Sequence, residues 1–228
     1  MPAARHALGL LLAALLLQAL PAPAAAQARF DFSRTTGTLP RSVLAPRQAL
    51  VLDLDPERDR FEGQTTLTLT LRRAQPQLLL HAHKLTAQRS VLLTASGERP
   101  LSVQPDEKTQ TWRLVPVDGR PVPAGKATLR LTWTGVVQPG EPGLFSAIDK
   151  VDGKPRRMLA TQLEAIAART LFPALDEPAF RTRFDITVRT PPGFEVLSNM
   201  PLQSTVADGD RLLLASGSAV RDHALPTG

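Results

Sequence analysis

Leu67, Leu69 and Leu71 alternate with Thr66, Thr68 and Thr70, placing a leucine row on one side of the chain and a threonine row on the other. That period of two, running from Phe61 to Leu71, predicts a half-buried antiparallel strand. Leu50, Leu52 and Leu54 alternate in the same way with Val51, Asp53 and Asp55, after which Asp55-Pro56 predicts a turn. Residues 29–48 are polar, proline-bearing and aperiodic, and are expected to form an extended lead-in. Further short strands are predicted over Gln77 to His83, Arg89 to Thr94, Leu101 to Gln104, Thr111 to Val115 and Ala127 to Thr134. Others are predicted over Met158 to Ala165, Arg183 to Val188, Glu195 to Leu197 and Arg211 to Ala215. No stretch after the first 28 residues predicts an amphipathic helix. The best window, Leu163 to Leu171, contains the β-branched Ile166 and Thr170 and soon meets Pro173. Many short strands, with 21 prolines, predict an all-β domain of mainly antiparallel packed sheets.

The amino-terminal residues follow another pattern. Arg5 and His6 precede an apolar run from Ala7 to Leu20, broken only by Gly9 and Gln18, and Pro21 to Ala28 is rich in small residues. This predicts a signal peptide over residues 1–28, cleaved after Ala26 or Ala28, and hence a periplasmic or secreted protein. The run is short for a bilayer span, so an uncleaved anchor is the lesser alternative. Removal leaves about 200 residues, expected as one β-domain over 29–214 and an anomalous tail over 215–228. There is no cysteine, so stability must rest on packing and sheet ladders. The net charge is +6, but basic residues cluster no further than Arg72-Arg73 and Arg156-Arg157, and aromatics make up 4% of the chain. A solvated basic surface accounts for this better than nucleic-acid binding, which needs clustered cations and stacking rings. Nothing specifies a membrane partner.

Three groups of residues could bear chemistry. Gln162 and Glu164 lie two apart on a predicted strand, so both would project from one face while Leu163 points to the core. A carboxylate beside an amide can cradle an ammonium ion, although on spacing alone an ordinary solvent face is the better account. His81 and His83 share the same spacing, but zinc needs three or four converging ligands and nothing supplies the others, so structural or surface roles are expected. In Asp176-Glu177-Pro178 the two adjacent carboxylates would point apart on an extended chain, which predicts a loop role rather than acid–base work. Phosphate loops, dinucleotide fingerprints and nucleophilic serine motifs are absent, as is His-Glu-x-x-His.

Gln162-Leu163-Glu164-Ala165, Phe172-Pro173-Ala174-Leu175-Asp176-Glu177-Pro178 and Leu197-Ser198-Asn199-Met200-Pro201 follow one another in order. Together they resemble the amino-terminal β-domain of zinc aminopeptidases of the aminopeptidase N family, a family of gluzincin metallopeptidases. Upstream, Leu39 to Val43, Leu54 to Glu57, Phe61 to Gly63 and Gly143 to Ser146 are similar to its landmarks more loosely. The resemblance implies a saddle-like β-domain in which Glu164 binds the α-ammonium group of a peptide and Gln162 lines the first side-chain pocket. It implies peptide amino termini as ligands, no metal or other cofactor in these residues, and zinc only in a catalytic domain that this sequence lacks. A truncated gene product is therefore expected. A non-catalytic exported module that binds peptides or proteins is the alternative, and a gene remnant a third. Two departures stand out: Ala174 replaces the family's usual cysteine, and Gln48-Ala49 replaces a His-Tyr pair.

Overall fold

The computed structural model describes residues 30–216 except Ala165 and Asp210. The predicted signal peptide, residues 1–28, and most of the expected tail, from residue 217 onward, lie outside the described residues. Residues 30–34 contain a 3-10 turn, Phe32–Arg34, in which the Ser33 N–H and hydroxyl both donate to Asp31 Oδ1.

From Thr35 onward the chain forms β1 (Val43–Asp53), β2 (Arg60–Leu71), β3 (Leu78–His81), β4 (Leu85–Thr94), β5 (Gly97–Asp106) and β6 (Thr111–Pro116). Then come β7 (Gly125–Val136), β8 (Gly143–Val151), β9 (Lys154–Gln162), β10 (Arg183–Thr190), β11 (Leu202–Asp208) and β12 (Arg211–Ser216). Ten strands join in the order β11-β12-β10-β1-β2-β7-β4-β5-β6-β3, while β8 and β9 pair only with each other. Every pairing is antiparallel except β1 with β10, which runs parallel from Arg47 opposite Arg183 to Asp53 opposite Arg189. The all-β class and its mainly antiparallel pairing are as the alternation predicts.

β2 shows how the sequence produces this. Phe61, Leu67, Leu69 and Leu71 are buried, while Glu62, Gln64 and Thr68 are exposed on the opposite face. Gly63 lies on the inner row directly across from Trp133 of β7; a Cβ there would fall 2.3 Å from the indole ring. The missing side chain is what lets the Trp133 indole pack directly against the strand. β5 changes partners along its length: Gly97 to Pro100 pair with β4, and Leu101 to Asp106 pair with β6. Pro100, which has no N–H to donate, sits at that change. Leu78 and Leu80 of β3 and Trp112 and Leu114 of β6 consequently share one apolar core with Leu67, Leu69, Leu92 and Leu129.

Several expected boundaries move. β1 begins at Val43 rather than near residue 49, because Val43 and Ala45 are already buried and a register shift between Leu44 and Arg47 absorbs Pro46. Glu195 to Leu197 is not a strand. Pro191-Pro192-Gly193 and Pro201 bracket it, and Leu197 is 85% exposed with no facing surface. β8 and β11 were not foreseen. β11 is exposed along its whole length, so it has no apolar row to betray it. β12 ends at Ser216, which places Ala215 and Ser216 in the sheet rather than in a tail.

Candidate substrate-binding site

Gln162 closes the β8–β9 hairpin, opposite Gly143. The hairpin is fastened to the sheet at two places. Near its base, the Gln138 N–H donates to the Leu144 carbonyl at 2.8 Å and the Ser146 N–H to the Gln138 carbonyl at 3.0 Å. Farther along, Arg157 reaches the turn between β1 and β2. Its Nη1 donates to the Pro56 and Arg58 carbonyls at 2.7 and 3.2 Å, and its Nη2 to Asp59 Oδ1 at 2.7 Å. Gly143 has a φ of +100°, and a Cβ on it would lie 2.3 Å from Thr170 Oγ1. The 3-10 turn Ala168–Thr170 thus presses on the hairpin base beside Gln162.

The pairing of Gln162 and Glu164 across one strand face does not occur. β9 stops at Gln162, and Glu164 sits in the turn that follows. The two residues are nevertheless joined, because Gln162 Oε1 accepts the Glu164 backbone N–H at 2.9 Å. Only the carbonyl end of an amide can meet an N–H, so this bond fixes the amide's orientation and leaves its NH2 for another partner. Leu163 packs partly against the core, as the spacing predicts. Glu164 is exposed, and its carboxylate has no hydrogen-bond partner among the described residues. Chemically, this is an open anionic point beside a fixed amide donor. A surface cavity of about 450 Å³, lined in part by Asp53, Glu62, Gln64 and Arg189, includes neither residue.

The return leg of the same loop is buried and heavily tied. Ala174 exchanges both backbone hydrogen bonds with His81, at 2.8 and 3.0 Å, and its small side chain is buried where the resemblance expects a cysteine. Gln48, 1% exposed, donates from Nε2 to the Pro173 carbonyl at 2.8 Å and to Thr65 Oγ1 at 3.1 Å. The position lacking the family's usual polar-aromatic pair is therefore still a bridge between β1, β2 and this loop.

Asp176 and Glu177 diverge as their adjacency predicts. Asp176 meets Arg169, Nε to Oδ2 at 2.9 Å. Glu177 Oε1 accepts the Thr38 and Leu39 N–H groups at 2.7 and 2.9 Å, and Oε2 accepts from Arg41 Nη1 at 2.6 Å. Burial pushes the Glu177 carboxyl up, but the Leu39 N–H, Arg41 and the Thr38 N–H outweigh it and hold it below the ordinary range. Arg41 also lies 4.9 Å over the Phe180 ring. Both carboxylates are ties within the fold.

His81 and His83 are not a pair either. β3 ends at His81, whose ring is 2% exposed and whose Nδ1 has no hydrogen-bond partner among the described residues. Burial, then Arg169, pushes its pKa down, against smaller upward pulls from Glu177 and Asp176. His83 Nδ1 lies 3.2 Å from Glu107 Oε2. Among the described residues no three potential ligands gather where a metal could be held. These side chains do not fit a zinc site.

Arg169 and Gln48 escaped sequence reasoning. Arg169 left a signal, being the single cation inside the apolar window Leu163 to Leu171. Gln48 left none.

The family model of the peptidase M1 N-terminal domain matches residues 45–215, beyond the last motif at Pro201. Among curated relatives, an aminopeptidase N of Acetobacter pasteurianus is 29% identical over 191 residues, covering 83% of this chain and 52% of that protein. An aminopeptidase M1-C of Oryza sativa subsp. japonica is 30% identical over 182 residues, covering 80% and 20% respectively. Endoplasmic reticulum aminopeptidase 1 of Homo sapiens is 30% identical over 179 residues, covering 75% and 19%. The chain spans about half the length of the first and about a fifth of the other two.

Proposed function

The chain belongs to the peptidase M1 N-terminal domain family, and we propose that it is the substrate-recognition domain of a zinc-dependent aminopeptidase. In this reading Glu164 meets the free amino end of a peptide and Gln162 borders the first side chain. The observation that carries it is the exposed Glu164 carboxylate, tied through its own N–H to Gln162 at the base of a braced hairpin. A carboxylate at this point favours a free, charged amine over an acylated one, which selects the end of a peptide rather than its middle. The bond-breaking groups belong to a zinc-bearing catalytic domain outside these residues. Export to the periplasm or beyond is part of the same proposal, resting on the leader-like start of the sequence.

The test uses the full chain and a fluorescent peptide beginning with leucine, offered with a free and with an acetylated amino end. A charge-assisted hydrogen bond contributes about 1.5–3 kcal/mol, so Glu164→Gln should lower free-amine affinity by roughly ten- to a hundredfold. Acetylated peptide should bind both proteins alike. Equal binding of the free-amine peptide by wild type and Glu164→Gln removes the proposal's basis. Adding a zinc-bearing catalytic domain of a relative in trans then separates an enzyme part from a stand-alone peptide-binding module, since only the former restores hydrolysis.

A further inference from the structure

Arg169 is a buried cation for which the recognition of an amino end has so far no use. Its side chain is 6% exposed, and each of its three nitrogens has a hydrogen-bond partner. Besides Nε to Asp176 Oδ2, Nη2 donates to the Asp176 carbonyl at 2.9 Å and Nη1 to Gln110 Oε1 at 3.2 Å. Its backbone N–H reaches Asp176 Oδ2 at 3.3 Å, and its carbonyl accepts the His83 N–H at 2.8 Å. The partners lie on the return leg of the loop, the turn between β5 and β6, and the stretch between β3 and β4.

Arg169 is also the middle residue of the 3-10 turn whose next residue, Thr170, packs on Gly143 opposite Gln162. Glu164 is thus held from behind by the Gln162 side chain and from ahead by the turn that contains Arg169. Between these two holds Ile166 is 51% exposed, and Ala167, 4% exposed, offers only a methyl group to the core. A buried ion pair is a weak way to gain stability compared with apolar packing, and its better-attested use is to specify one geometry among several. We infer that Arg169, locked to Asp176, is a positioning residue for Glu164, setting where that carboxylate stands against the hairpin base. This rests on the proposed role of Glu164. The guanidinium's planar fork spans three acceptors on two segments, a geometry that a point-charge ammonium does not reproduce, which is why arginine rather than lysine is required.

The test compares wild type, Arg169→Lys, the double variant Arg169→Met with Asp176→Leu, and Glu164→Gln, all in the full chain. The double variant removes both charges together, so neither is left buried and unpaired. Two readouts are taken: affinity for the free-amine and acetylated leucyl peptides, and hydrogen exchange over residues 163–170 with β2 and β7 as internal reference. The expected result is at least tenfold faster exchange over 163–170 in the Arg169 variants, unchanged exchange in β2 and β7, and loss of most of the free-amine preference. Arg169→Lys should fall between wild type and the double variant. Unchanged exchange over 163–170 in the double variant overturns the inference, as does accelerated exchange there with the free-amine preference intact. If Glu164→Gln itself keeps that preference, the amino-end reading fails, and the exchange result then decides by itself whether Arg169 fixes the turn.

Discussion

At the scale of single residues, the polar groups buried in this protein are mostly ties between distant pieces of chain. Gln48 joins three segments, and Glu177 holds the lead-in by two backbone N–H groups and Arg41. His81, like Ser90, is an exception: its buried ring has no partner for Nδ1 among the described residues and faces Arg169, Asp176 and Glu177. Its folded pKa lies below the ordinary value, so at mildly acid pH the unfolded chain binds a proton that the folded chain refuses. Stability should therefore fall as pH drops below about 6.5 toward the depressed folded pKa, and the contribution is constant above 6.5. His81→Gln cannot take up that proton. Chemical denaturation at pH 7.5 and at pH 5 should show the variant losing less stability between the two than wild type does. An equal loss in both proteins would mean that other groups set the acid limb. His81 was visible in the sequence only as half of a His-x-His pair, because burial is a property of the neighbours and not of the spacing.

Among the elements, β2 and β7 were legible because one face is apolar and the other is threonine-rich, so alternation alone fixes which side is inward. β8 and β11 were not, since neither has a clean buried row. β8 pairs only with β9, and β11 forms an exposed edge. For the candidate site, residue identity was legible and placement was not. The two-residue spacing suggested a shared strand face, yet β9 ends at Gln162, where the facing Gly143 must take a positive φ to let the 3-10 turn close in. Gly143→Ala tests that junction. Its backbone strain should cost about 1–3 kcal/mol, and the collision with Thr170 Oγ1 should add to it. In urea titrations, combining it with Thr170→Ala should recover the collision part and leave the backbone part. Full recovery would show that φ at residue 143 is not what demands glycine.

On the scale of the whole molecule, the pairing least accessible to sequence reasoning is the parallel one. β10 lies beside β1 although more than a hundred residues separate them, and no local pattern distinguishes a parallel from an antiparallel neighbour. The consequence is uneven stability. The group β10–β12 meets the rest of the sheet through the β1 ladder, the Leu54 N–H to the Arg189 carbonyl, and a few side chains. Among those are Arg211 with Asp53 at 3.1 Å and Thr182 Oγ1 with the Ala45 carbonyl at 2.8 Å. Its strands are half-buried or exposed apart from Thr190, whereas Leu67, Leu69, Leu129 and Leu131 of β2 and β7 are fully buried. Segments with few buried apolar contacts open at lower free energy than the core. Native-state hydrogen exchange should therefore find β11 and β12 exchanging at least tenfold faster than β2 and β7. Arg211→Ala should accelerate β12 further without moving β7, because it removes ties to β1 and its following turn while leaving the leucine core intact. Exchange of all four strands through one common opening would instead mean that the parallel ladder binds β10–β12 to the core as a single cooperative unit.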